Sequence, residues 1–267
     1  MTHSRFVFDA IMRLWPSGKL LNRLSDWPHL GSVLGSWFDA QGHHAVIIPV
    51  QEAVRGSESV VLPFPILASL VEQARDRVIF NECLCRLGEN CQAHPHGPGC
   101  LFLGEGASAI PSSLGRSVNT DQALEHARQA IDRGLVPLIV HSSFDAWLLD
   151  VPYRRTLAIC FCCDCCCSVR QGLRLGPPAF WDTVQRLPGL RLSVGPECTG
   201  CGLCLGECCV DAISLTRNRA HIGEDCKGCG RCAAVCPEGA ITLHAAPEEQ
   251  ILSQLLAQLA RRTDFRS

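Results

Sequence analysis

The chain has 267 residues, a formal net charge of −2 and 47% apolar residues. It is therefore long enough for one large domain or two smaller ones with a hydrophobic core. A charge near zero gives no bulk attraction to polyanions, so we expect no nucleic-acid partner. The unusual feature is the 19 cysteines, which secreted proteins use for disulfides and reduced intracellular proteins use as metal ligands.

The N-terminus favours the second use of cysteine. The first 21 residues lack the basic segment, apolar run and small-residue cleavage site of a secretory signal, and they lack twin arginines. We therefore expect a cytoplasmic protein, and no stretch reaches the ~18 apolar residues of a transmembrane segment. Val7, Ile11 and Leu14 recur at a helical step. This apolar face either covers the protein's own core or makes a peripheral contact with a membrane or a partner.

Helices and strands alternate up to about residue 190. Strands are predicted for "HHAVIIPV" from His43, "VIF" from Val78, "LVPLIV" from Leu135 and "TLAICF" from Thr156. Helices are predicted for "PILASLVEQARDR" from Pro65, for residues 121–133 between Asn119 or Thr120 and Gly134, and for "AFWDTVQRL" from Ala179. This order indicates an α+β or α/β fold.

Two cysteine groups lie in this region. The first loop, "CLCRLGENCQAHPHGPGC", contains Cys83, Cys85, Cys91 and Cys100. His94 and His96 lie inside this loop. Because four cysteines are already nearby as ligands, we do not expect the histidines to bind metal and interpret them as surface residues. The thiol run, "ICFCCDCCCS", contains Cys160, Cys162, Cys163, Cys165, Cys166 and Cys167.

The thiol run cannot point all its side chains one way. In an extended chain, side chains alternate between faces. One face would then carry Cys160, Cys162 and Cys166, and the other Cys163, Cys165 and Cys167. A turn near Asp164 would alter this partition and still leave thiols on two sides. Because crowded thiols bring no packing benefit, we expect metal ligation; a zinc-binding strand, or one binding nothing, is the alternative.

The last third of the chain contains an internal repeat. "ECTGCGLCLGECCVDAISL" from Glu197 matches "DCKGCGRCAAVCPEGAITL" from Asp225. Both follow the pattern C-x-x-C-x-x-C-x-x-x-C and end in a β-prone run. Such spacing wraps a loop around a cube of iron and sulfide, and the glycines let backbone amides approach the sulfurs. The alternative is a pair of zinc sites.

This repeat resembles the bacterial-type ferredoxin with two [4Fe–4S] clusters, over about residues 192–245. The resemblance implies that the fourth cysteine of each motif serves the other cluster. One cluster is then held by Cys198, Cys201, Cys204 and Cys236, and the other by Cys226, Cys229, Cys232 and Cys208. Cys209 stands where the family has proline, as at Pro237, and we interpret it as a spare buried thiol.

The combination of "CLCR", the thiol run and the ferredoxin repeat resembles bacterial proteins known only as 4Fe–4S-binding proteins, which have no settled function. We expect a Cys-rich α/β domain over residues 1–190 with one or two further iron–sulfur clusters. A ferredoxin-like β-α-β repeat domain follows over 191–246, and a helix or tail over 247–267.

The leading functional hypothesis is a polyferredoxin-like carrier of anaerobic metabolism. It would pass low-potential electrons between a donor and a partner oxidoreductase, more as a carrier or an oxidoreductase subunit than as a stand-alone enzyme. One alternative is a reductase with an unusual iron–sulfur centre fed by the ferredoxin module. Another is a redox or iron sensor, although no DNA-binding motif accompanies it.

Overall fold

The computed structural model describes residues 5–15, 42–49, 63–175, 180 and 182–267. Its largest element is a seven-stranded sheet. The strands are His43–Ile47 (β1), Arg77–Phe80 (β2), Leu101–Leu103 (β3), Gly115–Ser117 (β4), Val136–Ser142 (β5), Leu157–Cys162 (β6) and Val184–Arg186 (β7). Their order is β4-β2-β3-β6-β5-β1-β7, and every pairing is antiparallel except the one between β1 and β7. The four strands predicted from the sequence are present as β1, β2, β5 and β6.

Helices lie on both faces of this sheet and within the cysteine repeat. They are Arg5–Leu14 (α1), Pro63–Gln73 (α2), Leu84–Gly88 (α3), Thr120–Asp132 (α4), Ser143–Leu149 (α5), Ser168–Leu175 (α6), Leu203–Glu207 (α7), Arg231–Ala234 (α8) and Glu248–Ala260 (α9). The predicted start of α4 is confirmed, because Asn119 and Gln122 cap each other's backbone amides. Its predicted end is confirmed at Gly134, whose φ is +76°. The predominantly antiparallel sheet with helices is the predicted α+β class.

The helix predicted for "AFWDTVQRL" is wrong in its second half. Residues Val184–Arg186 form β7, which pairs with β1 through Ala45 and Val184. The Ala45 amide also donates to the Thr183 carbonyl at 2.8 Å. The β-branched Thr183 and Val184 suit an edge strand, and the pairing with a distant segment overrides the local helical pattern. Residues 176–179 and 181 lie outside the described part of the chain.

The alternation of β6 separates the two faces. Leu157, Ile159 and Phe161 pack on the face covered by α2, α4 and α9. Ala158 and Cys162 belong to the opposite face, covered by α1 and α5. Because Ile251, Leu255 and Leu259 of α9 are fully buried in the first cluster, the C-terminal helix is part of the sheet's own core. The boundaries at residues 190 and 246 stay predictions.

The apolar face of α1 is partly covered by the protein's own core. Phe8 is buried, and Trp15 packs so tightly on Gly88 of α3 that a Cβ there would lie 2.4 Å from the indole. Leu14 is 66% exposed, so both alternatives that the sequence left open remain. None of the helices in the described ranges has the length and apolar character needed to cross a membrane.

The cysteine repeat folds as two equivalent halves. Their strands are Leu190–Val194 (β8), Ile213–Thr216 (β9), Arg219–Ile222 (β10) and Ile241–Ala245 (β11). One half is β8-α7-β9 and the other β10-α8-β11, with β8 paired to β11 and β9 to β10, both antiparallel. The glycines that introduce α7 and α8 match as well, with φ of 81° at Gly202 and 80° at Gly230. These left-handed conformations favour glycine, which explains the repeated C-G-x-C.

Candidate metal centres

The first ferredoxin quartet lines a single cavity. Its members are Cys198, Cys201, Cys204 and Cys236. The Ala220 amide donates to the Cys198 Sγ at 3.4 Å, and together with the Gly200 amide this lowers the pKa of Cys198. Amide hydrogen bonds to sulfur stabilise a metal-bound thiolate, so the residues present fit an iron–sulfur cluster. The exposed Cys201 lies at the open side, beside the exposed Leu203 and Leu215.

The second ferredoxin quartet is more enclosed. Its members, which interact electrostatically with one another, are Cys208, Cys226, Cys229 and Cys232. The Ala212 amide donates to the Cys208 Sγ at 3.2 Å, and the Gly228 amide to the Cys226 Sγ at 3.4 Å. The structure thus brings together the crossed sets that the resemblance implied, in which each motif gives its fourth cysteine to the other set. Their ligation of clusters stays a prediction.

The remaining predicted cysteines fall into two further sets. The six-thiol set lies on the α1 and α5 side of β6 and comprises Cys83, Cys85, Cys100, Cys160, Cys162 and Cys167. The four-thiol set comprises Cys91, Cys163, Cys165 and Cys166. Each set therefore combines cysteines of the first loop with cysteines of the thiol run.

The six-thiol set forms a continuous group of sulfurs. Cys100 and Cys160 lie 3.4 Å apart, Sγ to Sγ. Cys83 is within hydrogen-bonding reach of Cys100 and Cys85, which lowers its pKa. Cys162 contacts Cys167, and both interact with Cys85. Six thiols linked by contacts or electrostatic interactions exceed what one four-cysteine cube requires.

A turn explains how the thiol run divides. Alternation along β6 holds as far as Cys163, so Cys160 and Cys162 share one face and Cys163 takes the other. Residues 164–166 then form a turn before α6 begins at Ser168. The extended-chain partition is wrong for the last two thiols, because this turn sends Cys166 to the four-thiol set and Cys167 to the six-thiol set.

Backbone contacts hold the first loop against the sheet. The Cys83 amide donates to the His96 carbonyl at 2.8 Å, and the Phe80 amide to the Cys100 carbonyl at 2.9 Å. Gly99 allows the close approach, since a Cβ there would lie 2.4 Å from the Phe80 carbonyl oxygen. His96 Nδ1 lies 3.5 Å from Glu82 Oε1, outside all the thiol sets, as the sequence interpretation proposed.

A buried arginine lies next to the six-thiol set. Arg86 follows Cys85, is fully buried, and donates to the carbonyls of Phe161 (3.0 Å), His96 (3.1 Å) and Pro98. No carboxylate among the described residues forms an ion pair with it. A buried cation needs a counter-charge. Thiolates provide that charge, and Arg86 lowers the pKa of Cys83.

A second buried arginine lies between two thiol sets. Arg170 is 1% exposed and interacts electrostatically with Cys167 of the six-thiol set and Cys229 of the second quartet. Its guanidinium forms an ion pair with the carboxylate of Asp164 in the thiol run. The two groups are not aligned for a hydrogen bond. Asp164 also pairs with Arg231, which stands between Cys229 and Cys232. The thiol run is thereby attached to the second quartet.

Cys209 was not predicted to belong to a site. It is buried as expected, but its thiol contacts Cys229. This hydrogen bond lowers the pKa of Cys229 to about 6, and Arg170 and Arg231 act in the same direction. The sequence signal was its replacement of the expected proline. The roles of Arg86 and Arg170 had no such signal, because Phe161 and Cys229, with which they interact, are distant in the chain.

Comparison with known protein families matches residues 221–242 to the 4Fe-4S binding domain. This segment takes in the end of β10, α8 and the start of β11, with three cysteines of the second quartet and Cys236. Neither the curated proteins nor the solved structures include a match to the chain. The chain thus contains a 4Fe-4S binding domain, and with its many further cysteines this indicates iron–sulfur electron transfer.

Proposed function

We propose that the protein is a polyferredoxin-like electron carrier, with two [4Fe–4S] clusters in the ferredoxin quartets and a further iron–sulfur cluster in the six-thiol set. The observation that carries the proposal is the adjacency of the second quartet and the six-thiol set. Arg170 interacts with thiols of both, and Asp164 joins the thiol run to Arg231. A site unrelated to electron transfer would not need this attachment.

The chain's own residues support such a carrier in two ways. Backbone amides donate to Cys198, Cys208 and Cys226 and stabilise negative sulfur. Arg86 and Arg170 offset negative charge where water is excluded. When bound, the clusters supply one-electron exchange at potentials set by charge, hydrogen bonding and exposure.

The first quartet provides the contact with a redox partner protein. Leu203 is 58% exposed and Leu215 is 40% exposed, and both border its cavity. Exposed apolar residues beside the exposed Cys201 suit transient docking of a donor or of a partner oxidoreductase. Electrons would then pass from this quartet through the second quartet to the six-thiol set, or in reverse.

Freeze-quench paramagnetic resonance tests the proposal. The full-length protein, reconstituted anaerobically, is mixed with a limiting amount of a low-potential one-electron reductant. We expect signals of two interacting [4Fe–4S] clusters to form first and then decline as a further signal grows, because the three centres exchange electrons. Cys201→Ser should slow the first phase. The matched substitution Ser193→Ala, on β8, should leave it unchanged.

Two results would contradict a carrier. A centre in the six-thiol set that never exchanges electrons with the ferredoxin signals would separate the two sites. Multiple turnover of a small molecule by the isolated chain would instead support the reductase hypothesis.

A further inference from the structure

The four-thiol set differs in size from the other cysteine sets. The ligand atoms of Cys91, Cys163, Cys165 and Cys166 all lie within 4.8 Å of one another, and Cys91 and Cys165 approach to 3.5 Å, Sγ to Sγ. Within the described ranges, which contain every cysteine, no other group of three or more His, Cys, Asp or Glu meets this limit. The Sγ atoms within each ferredoxin quartet are therefore farther apart than those of the four-thiol set.

The separation of thiolates reports how many metal ions lie between them. One ion with metal–sulfur bonds of ~2.3 Å holds four tetrahedral thiolates about 3.8 Å apart. Thiolates on a cubane stand about 6 Å apart, and those on opposite irons of a binuclear cluster stand about 5 Å apart or more. Four thiols within 4.8 Å of one another are closer to the spacing around one ion than to the spacing around a cubane.

Backbone amides lie near two of these thiols. The amides of Ala93 and His94 interact with the Cys91 sulfur, two and three residues along the chain, and the Cys166 amide interacts with the Cys163 sulfur. Residues 163–166 form a C-x-x-C turn, a recurring element of tetrahedral thiolate sites, and Cys91 joins them from the first loop.

Three of the four thiols are buried and Cys165 is exposed, so the site lies just below the surface. The Gln171 side chain fixes the turn by donating to the Cys165 carbonyl at 2.8 Å.

We propose that Cys91, Cys163, Cys165 and Cys166 bind a single tetrahedral metal ion, separate from the iron–sulfur cluster of the six-thiol set. A zinc ion and a lone iron share this chemistry. In either case the ion joins the first loop to the turn at residues 164–166. It thereby fixes Asp164 toward Arg170 and Arg231, and it holds Cys162 and Cys167 on the opposite side.

Metal and sulfide analysis of the full-length protein tests this site. Zinc, iron and acid-labile sulfide are measured per chain after anaerobic purification, for the wild type, Cys165→Ser and the matched control Cys162→Ser. Cys165 is chosen because it is exposed, so its substitution disturbs packing least. We expect Cys165→Ser to lose one metal equivalent with no sulfide, and Cys162→Ser to lose iron and sulfide together.

The identity of the ion follows from the same data. One zinc per chain identifies zinc, and iron in excess of sulfide by one per chain identifies a lone iron. Loss of several irons with equal sulfide in Cys165→Ser would overturn the proposal, as would a wild type without any sulfide-free metal. If the variant does not fold, X-ray absorption of the wild type decides. At the zinc edge, sulfur neighbours at ~2.3 Å without a nearby second metal support a single zinc ion. Because the clusters have short iron–iron distances of their own, a lone iron is tested by Mössbauer spectroscopy, as one iron outside the cluster signals. Absence of both results contradicts the proposal.

Discussion

Single charged residues explain why the thiol sets can hold negative charge away from water. Arg86 and Arg170 are both buried, and both lie against thiols of the six-thiol set. The sequence marks Arg86 only as part of "CLCR". Its partners, the carbonyls of Phe161 and His96, become neighbours only when the sheet forms. Cysteine spacing could therefore indicate candidate metal ligands, but not the cations that lie beside them.

Gly200 is a residue whose role in cluster binding can be tested directly. It has φ of +72°, and a Cβ there would lie 2.4 Å from the Asn218 carbonyl oxygen. We expect Gly200→Ala to move the loop away from the β9–β10 turn and to destabilise the segment by about 1–3 kcal/mol. Cluster occupancy of the first quartet should fall, measured by iron content and by paramagnetic resonance.

Gly206→Ala is the control for this change. Gly206 lies in α7, and a Cβ there would meet nothing within 4 Å. Normal iron content in Gly206→Ala with reduced iron in Gly200→Ala supports the role of the close approach. Equal iron in both variants would contradict it.

At the scale of elements, the thiol run is a strand, a turn and the start of a helix. The period-two pattern predicted the sides of Cys160, Cys162 and Cys163, because a strand alternates. It could not decide the sides of Cys166 and Cys167, because these depend on the turn near Asp164 that the sequence left as an alternative. Contacts of Asp164 with Arg170 and Arg231 stabilise that turn at residues 164–166. The error in β7 has the same origin, since a short local pattern does not reveal the pairing with β1.

Asp164 should therefore stabilise the connection between the thiol run and the ferredoxin repeat. Asp164→Asn leaves the guanidinium of Arg170, 1% exposed, without its carboxylate. Loss of one partner from such a pair costs about 2–4 kcal/mol. We expect the free energy of unfolding to fall by that amount in anaerobic denaturant titrations followed by tryptophan fluorescence.

An exposed ion pair provides the comparison. Glu125 and Arg128 lie 3.8 Å apart on α4, with both side chains more than half exposed. Glu125→Gln should change stability by less than ~1 kcal/mol. If Asp164→Asn is no more destabilising than Glu125→Gln, the buried pair does not hold the two regions together.

At the scale of the whole molecule, the sequence could predict the fold class and the repeated cysteine-rich part. The capped helix α4 and the two β-α-β halves follow from caps and cysteine spacing. The order of the seven strands and the packing of α9 under the sheet depend on contacts between distant segments. The division of ten N-terminal cysteines into sets of six and four is likewise a property of the assembled fold.

The iron and sulfide content of the full-length protein tests the central claim most directly. Two ferredoxin clusters account for about eight irons, and the six-thiol set should raise the total clearly above that number with matching sulfide. Cys162→Ala should lower iron and sulfide together and leave the ferredoxin signals intact, whereas Glu125→Gln, an exposed substitution on α4, should leave both contents unchanged. A fully reconstituted wild type with only about eight irons, unchanged by Cys162→Ala, would contradict the account.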